Sequence, residues 1–119
     1  MSASTRAGSS KRGRIVLPPI PDAVATALGP VPVRVVKKLR YKKDGKKQRL
    51  FGRYCAIERV IEISAEAVPV MQWQTLFHEL VHVALGDVGL NNVISDDHVE
   101  VICDVIASAR VAEMLAHLK

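Results

Sequence analysis

Two stretches decide how this 119-residue chain reads: TLFHELVH (residues 75–82) and EVICDVIA (residues 100–107). After Pro69, the apolar residues Met71, Leu76, Leu80, Val83 and Ala84 recur at helical spacing as far as Gly86, a residue suited to a helix end. The spacing predicts a helix carrying His78, Glu79 and His82. A second helix is predicted from Asp96 to Leu118, with Ser95 and Asp96 as cap candidates and Asp97 and Glu100 complementing its positive N-terminal end.

His78 and His82 are four residues apart, so their directions differ by about 40° around a helix and both imidazoles can face one cation. Glu79 projects between them, where its carboxylate can take a proton from a water without ligating the metal. It is the candidate general base. A catalytic zinc site needs a third protein ligand, and Glu100 is the best candidate. Asp104, one helical turn further on the same face, is placed to accept the second N–H of a ligand histidine. The neighbours Val99, Val101, Ile102, Val105 and Ile106 are apolar, so a carboxylate buried among them is costly unless a cation compensates it. The expected cofactor is one Zn2+ per chain, although two imidazoles and a carboxylate also accept iron, manganese or cobalt. His98 is an alternative third ligand, but its neighbour one turn on, Ile102, cannot orient it. The longer motif HExxHxxGxxH is absent, because Leu85 and Val88 stand where it needs Gly and His. Cys103 is read as packing beside the site, and Cys55 and Cys103 as reduced thiols.

HExxH followed by ExxxD on the next helix is the gluzincin arrangement, and TLFHELVH with EVICDVIA resembles the small ImmA/IrrE-type metallopeptidases, or minigluzincins. The resemblance spans roughly residues 20–118. It implies an α+β zincin-like fold, with a small, mostly antiparallel sheet packed on the HExxH helix and a C-terminal ExxxD helix. It implies zinc on His78, His82 and Glu100, Glu79 as general base and acid, Asp104 orienting a ligand histidine, and peptide-bond hydrolysis in a protein substrate. By the same resemblance the substrate lies extended along an edge strand near Leu50 to Ala56. Family members typically have alanine at the position of Cys103.

Outward from the helices, Asp44-Gly45 between extended-looking segments predicts a two-residue hairpin. Ile61 and Ile63, facing opposite to Glu62, predict a strand after a reversal at residues 56–59. Three prolines in IVLPPIP (15–21) favour an extended path, and Asp22 before AVATAL predicts a short helix ending at Gly29-Pro30. Residues 1–14 read as a flexible basic tail, leaving one domain at 15–119.

The formal charge of +5 divides unevenly along the chain. Residues 1–53 hold 14 Lys/Arg and two acids, while residues 54–119 hold three and ten. Ten of those cations lie between Arg34 and Arg53, around Lys42, Lys43, Lys46 and Lys47. Such a field suits nucleic-acid phosphates or an acidic protein partner, or else belongs to a solvated hairpin whose lysines deter edge pairing. The rival to the enzyme reading is a non-catalytic, zinc-stabilised binding module of a nucleoprotein or phage particle. No apolar run suits a membrane span or a signal-peptide core, so no membrane partner is expected. The expected location is the cytoplasm, that of the host cell for a phage-encoded chain.

Overall fold

Ile61 and Ile63 are fully buried, while Glu62 between them faces away and accepts a hydrogen bond from Arg53 Nε at 2.6 Å. That alternation sets one strand of the sheet in the computed structural model, which describes residues 15–118; the expected tail at 1–14 lies outside them. The strands are β1 (Ala23–Val24), β2 (Val31–Val36), β3 (Arg40–Lys43), β4 (Lys46–Arg49), β5 (Gly52–Cys55) and β6 (Val60–Ser64). Helix α1 (Pro69–Asp87), a 3-10 turn (Leu90–Asn92) and helix α2 (Asp96–His117) follow.

The architecture is α+β. Four strands form a sheet in the order β1-β2-β6-β5, and β3 with β4 form a separate two-stranded ribbon. The central β2–β6 pairing is parallel and the other pairings are antiparallel, so the mostly antiparallel sheet expected from the sequence is mixed at its centre. The chain returns to β2 only after completing the ribbon and β5, and that long excursion permits the parallel approach.

The short helix expected after Asp22 does not form. Ala23 and Val24 pair instead with Pro32 and Val31, the Asp22 carbonyl accepts from Val33 N at 2.8 Å, and Thr26 and Gly29 close a turn. Six residues ahead of Gly29-Pro30 give too few intrahelical bonds to repay nucleation, and the ladder to β2 wins. The expected hairpin does form, with Asp44 (φ 54°) and Gly45 (φ 78°) both left-handed, as a primed turn requires.

One face of the sheet presents Val31, Val33, Ile61 and Ile63 to Leu76 and Val83 of α1. Ile20 and Trp73 pack on this core, and the Trp73 indole donates to the Pro18 carbonyl at 2.9 Å, fastening the proline-rich segment. Gly52 of β5 lies directly over α1. A Cβ there would collide with Thr75 Cγ2 and meet the Glu62 carbonyl at 3.0 Å, so the absent side chain sets how closely strand and helix approach.

Helix α2 starts at Ser95, whose hydroxyl accepts from His98 N, and buries Val99, Cys103, Ala107 and Val111 at four-residue spacing. The small middle residues of that stripe allow a close approach to α1. Along the exposed seam beside it, Gln74 pairs with Ser108, His78 with Asp104 and His82 with Glu100. Each step of four up α1 is a step of four down α2, so the helices run antiparallel with their polar side chains in rungs.

Candidate metal centre

The polar seam builds the site. His78 Nδ1 donates to Asp104 Oδ1 at 2.7 Å, since a carboxylate can only accept. In a neutral imidazole that proton leaves the lone pair on Nε2, which lies 3.0 Å from Glu100 Oε2. His82 Nε2 lies 2.9 Å from the other oxygen, Glu100 Oε1, and the two rings are 5.0 Å apart. A lone pair and a carboxylate oxygen facing each other at that distance repel unless a proton or a metal cation stands between them. Tetrahedral ligands on bonds of about 2.0 Å are themselves about 3.3 Å apart, so the donor spacing suits a small divalent ion.

A ring nitrogen of His78, one of His82 and Cys103 Sγ all lie within 4.8 Å of one another. His78, His82 and Cys103 therefore form a cluster that could hold a metal ion, so the thiol expected only to pack beside the site also stands within reach of an ion there. In the chain a thiol among Val and Ile reads as core. It joins the cluster because it faces α1, about one turn after Glu100 and next to Asp104. Cys103 is fully buried, and burial, reinforced by the charges of Glu100, Glu79 and Asp104, pushes its thiol pKa up to about 11. It is a protonated thiol at neutral pH.

Glu79 sits between the imidazoles on α1 and lines two adjoining depressions. One, a groove of about 700 Å³, is bounded by Tyr54, Ala56, His78, His82 and Glu100; the other, about 210 Å³, by Leu50, Phe51, Met71, Thr75 and Asp104. Burial raises the Glu79 carboxyl above the ordinary carboxylate range and Glu100 adds to this, while His82, His78 and the Tyr54 amide oppose it. A carboxyl displaced upward exchanges protons nearer neutrality.

Strand β5 is the sheet edge beside this groove. Ser64 N bonds to Phe51 O, and the register pairs Arg53 with Glu62 and Cys55 with Val60. With that phase, the main-chain groups of Gly52 and Tyr54 point away from β6, the Tyr54 amide toward the Glu79 carboxylate and the Gly52 groups and Tyr54 carbonyl along the edge. At the far end, the Arg59 guanidinium grips both oxygens of Asp87 at 2.8 and 2.9 Å and donates to Thr26 Oγ1. This ties the β5–β6 turn to the end of α1. The Arg59 partner of Asp87 lies 28 residues away in the chain, with no local signal of the pairing.

The acids Glu100 and Asp104 are not buried among apolar neighbours, as the sequence suggested. Their side chains are 56% and 67% exposed, because they stand on the rim while the histidines lie beneath at 23% or less. His98 is outside the cluster and exposed, and its backbone N–H donates to Ser95 Oγ. His117 meets the Glu113 carbonyl near the end of α2. No described helix is long and apolar enough to cross a membrane. Comparisons with protein-family models, with curated proteins and with solved structures give no match.

Proposed function

We propose that the protein is a zinc-dependent peptidase of gluzincin type, similar to the ImmA/IrrE-like minigluzincins. The observation that carries this reading is the bond from His78 to Asp104, which turns the Nε2 lone pair toward His82 and Glu100 while Glu79 remains on the groove side. His78, His82 and Glu100 would hold the ion. The Glu100 carboxylate is the preferred third donor because its two oxygens already face both Nε2 atoms, whereas the Cys103 thiol must first lose a proton from a pKa of about 11. When bound, zinc supplies a Lewis acid that polarises a peptide carbonyl and makes water a competent nucleophile near neutral pH.

The chain's own residues do the rest. Glu79 takes a proton as water attacks the carbonyl carbon, and returns it to the leaving amine as the C–N bond breaks. Asp104 keeps His78 in one tautomer. The edge of β5 offers the Gly52 main-chain groups and the Tyr54 carbonyl to an extended substrate, and Leu50, Phe51 and Met71 line a side pocket for an apolar residue.

The test is metal content of protein purified without added metal, followed by cleavage of an unstructured protein substrate. The expected result is about one zinc per chain, lost in His78→Ala and Glu100→Ala and kept in His98→Ala and Glu79→Gln, with cleavage absent in the last. A wild type that binds no zinc when supplied removes the reading.

A further inference from the structure

We infer that the β3–β4 ribbon is a duplex nucleic-acid binding element, independent of the peptidase reading. Among the described residues its strands pair only with each other, and two cross-strand positions set cation against cation: Arg40 with Arg49 and Lys42 with Lys47. Directly opposed like charges destabilise a ladder, and an isolated two-stranded hairpin is marginal to begin with. The chain does little to relieve the repulsion. Among the described residues, the one ion pair the ribbon makes is Arg40 with Glu66 at its base, where Leu39 is buried and Leu50 N bonds to Leu39 O. The base is anchored, and among the described residues no ion pair reaches Lys42, Lys46 or Lys47, Asp44 at the turn being the ribbon's one acid.

Side chains paired in register share a face, so Arg40, Lys42, Lys47 and Arg49 form a four-cation face. That surface is complementary to a dense polyanion. Two strands about 4.8 Å apart make a ribbon narrow enough for the major groove of a duplex, about 12 Å wide. Tyr41 is the ribbon's only aromatic, which disfavours a stacking platform for single strands, and the ribbon has no aliphatic side chain to insert into a lipid surface.

The test uses the full chain and a fluorescein-labelled mixed-sequence 20-base-pair DNA duplex, read by anisotropy over a salt series. The wild type is expected to bind with strong salt dependence. In Lys42→Gln/Lys46→Gln/Lys47→Gln, affinity should fall by roughly tenfold or more and the log–log salt slope by about 2.7, with thermal stability unchanged or raised because repulsion is relieved. The charge-preserving Lys42→Arg/Lys46→Arg/Lys47→Arg variant should bind as wild type does. A second control, Arg6→Gln/Lys11→Gln/Arg12→Gln/Arg14→Gln, should leave the ribbon-dependent slope in place. The inference is overturned if the glutamine ribbon variant binds like wild type, or if the tail variant alone loses binding. It is equally overturned if polyglutamate, vesicles containing phosphatidylserine or single-stranded DNA bind more tightly than the duplex.

Discussion

Asp104 and Cys103 are adjacent on α2 and act on the candidate centre in different ways. Asp104 holds His78 by its Nδ1 proton, so Asp104→Asn is expected to keep the fold and lower zinc affinity by about 10–100-fold, read by competition with a chelating dye. Cys103 tests which donor completes the site. With Glu100 as third ligand, Cys103→Ala retains about one zinc per chain and costs stability on the order of 1 kcal/mol from lost packing. Loss of zinc in that variant with retention in Glu100→Ala would assign the thiol. At the other end of α1, the Arg59 guanidinium holds the Asp87 carboxyl below its ordinary value of 3.8. A depressed carboxyl contributes stability above its ordinary pKa and loses that contribution as pH falls through the folded value. Wild type should therefore melt higher than Asp87→Asn at pH 6, and the gap should close as pH is lowered beneath 3.8 in a thermal-denaturation series.

At the scale of elements, Gly52 measures the gap between β5 and α1. Gly52→Ala is expected to destabilise the protein by roughly 1–3 kcal/mol, because the added methyl overlaps Thr75 Cγ2. Removing that methyl in Gly52→Ala/Thr75→Ser should recover part of the loss in a denaturant titration. Which elements could be read from the chain follows from where their determinants lie. Both long helices and the Asp44-Gly45 hairpin rest on local signals such as apolar period, the Ser95 cap and a left-handed turn pair, and they form where expected. The helix expected after Asp22 gave way to pairing with β2, a partner whose claim on that segment has no mark in the segment itself. The parallel β2–β6 pairing was hidden for the same reason. Within the site, His78, Glu79 and His82 were legible because one helical repeat holds them. The inclusion of Cys103, the exposure of Glu100 and Asp104, and the grip of Arg59 on Asp87 depend on how two elements meet.

For the whole molecule, the candidate centre spans both helices, so an ion bound there joins α1 to α2 and stabilises only the folded chain. Zinc at 100 times its dissociation constant should add about 2.7 kcal/mol, enough to raise the melting temperature by roughly 10 °C or more in a domain of this size. Scanning calorimetry with zinc and with chelator checks this, and His78→Ala/Glu100→Ala should show no shift. The rungs between the helices also carry an ambiguity of alignment. Sliding α2 by one turn would set Gln74 against Asp104, His78 against Glu100 and His82 against Asp96, so polar partners alone recur after every turn and do not single out one alignment. What breaks the degeneracy is the buried stripe, where Cys103 and Ala107 are small between the bulkier Val99 and Val111. The chemistry of the site is thus kept in register by differences in side-chain volume along a buried stripe of which only Cys103 reaches the site.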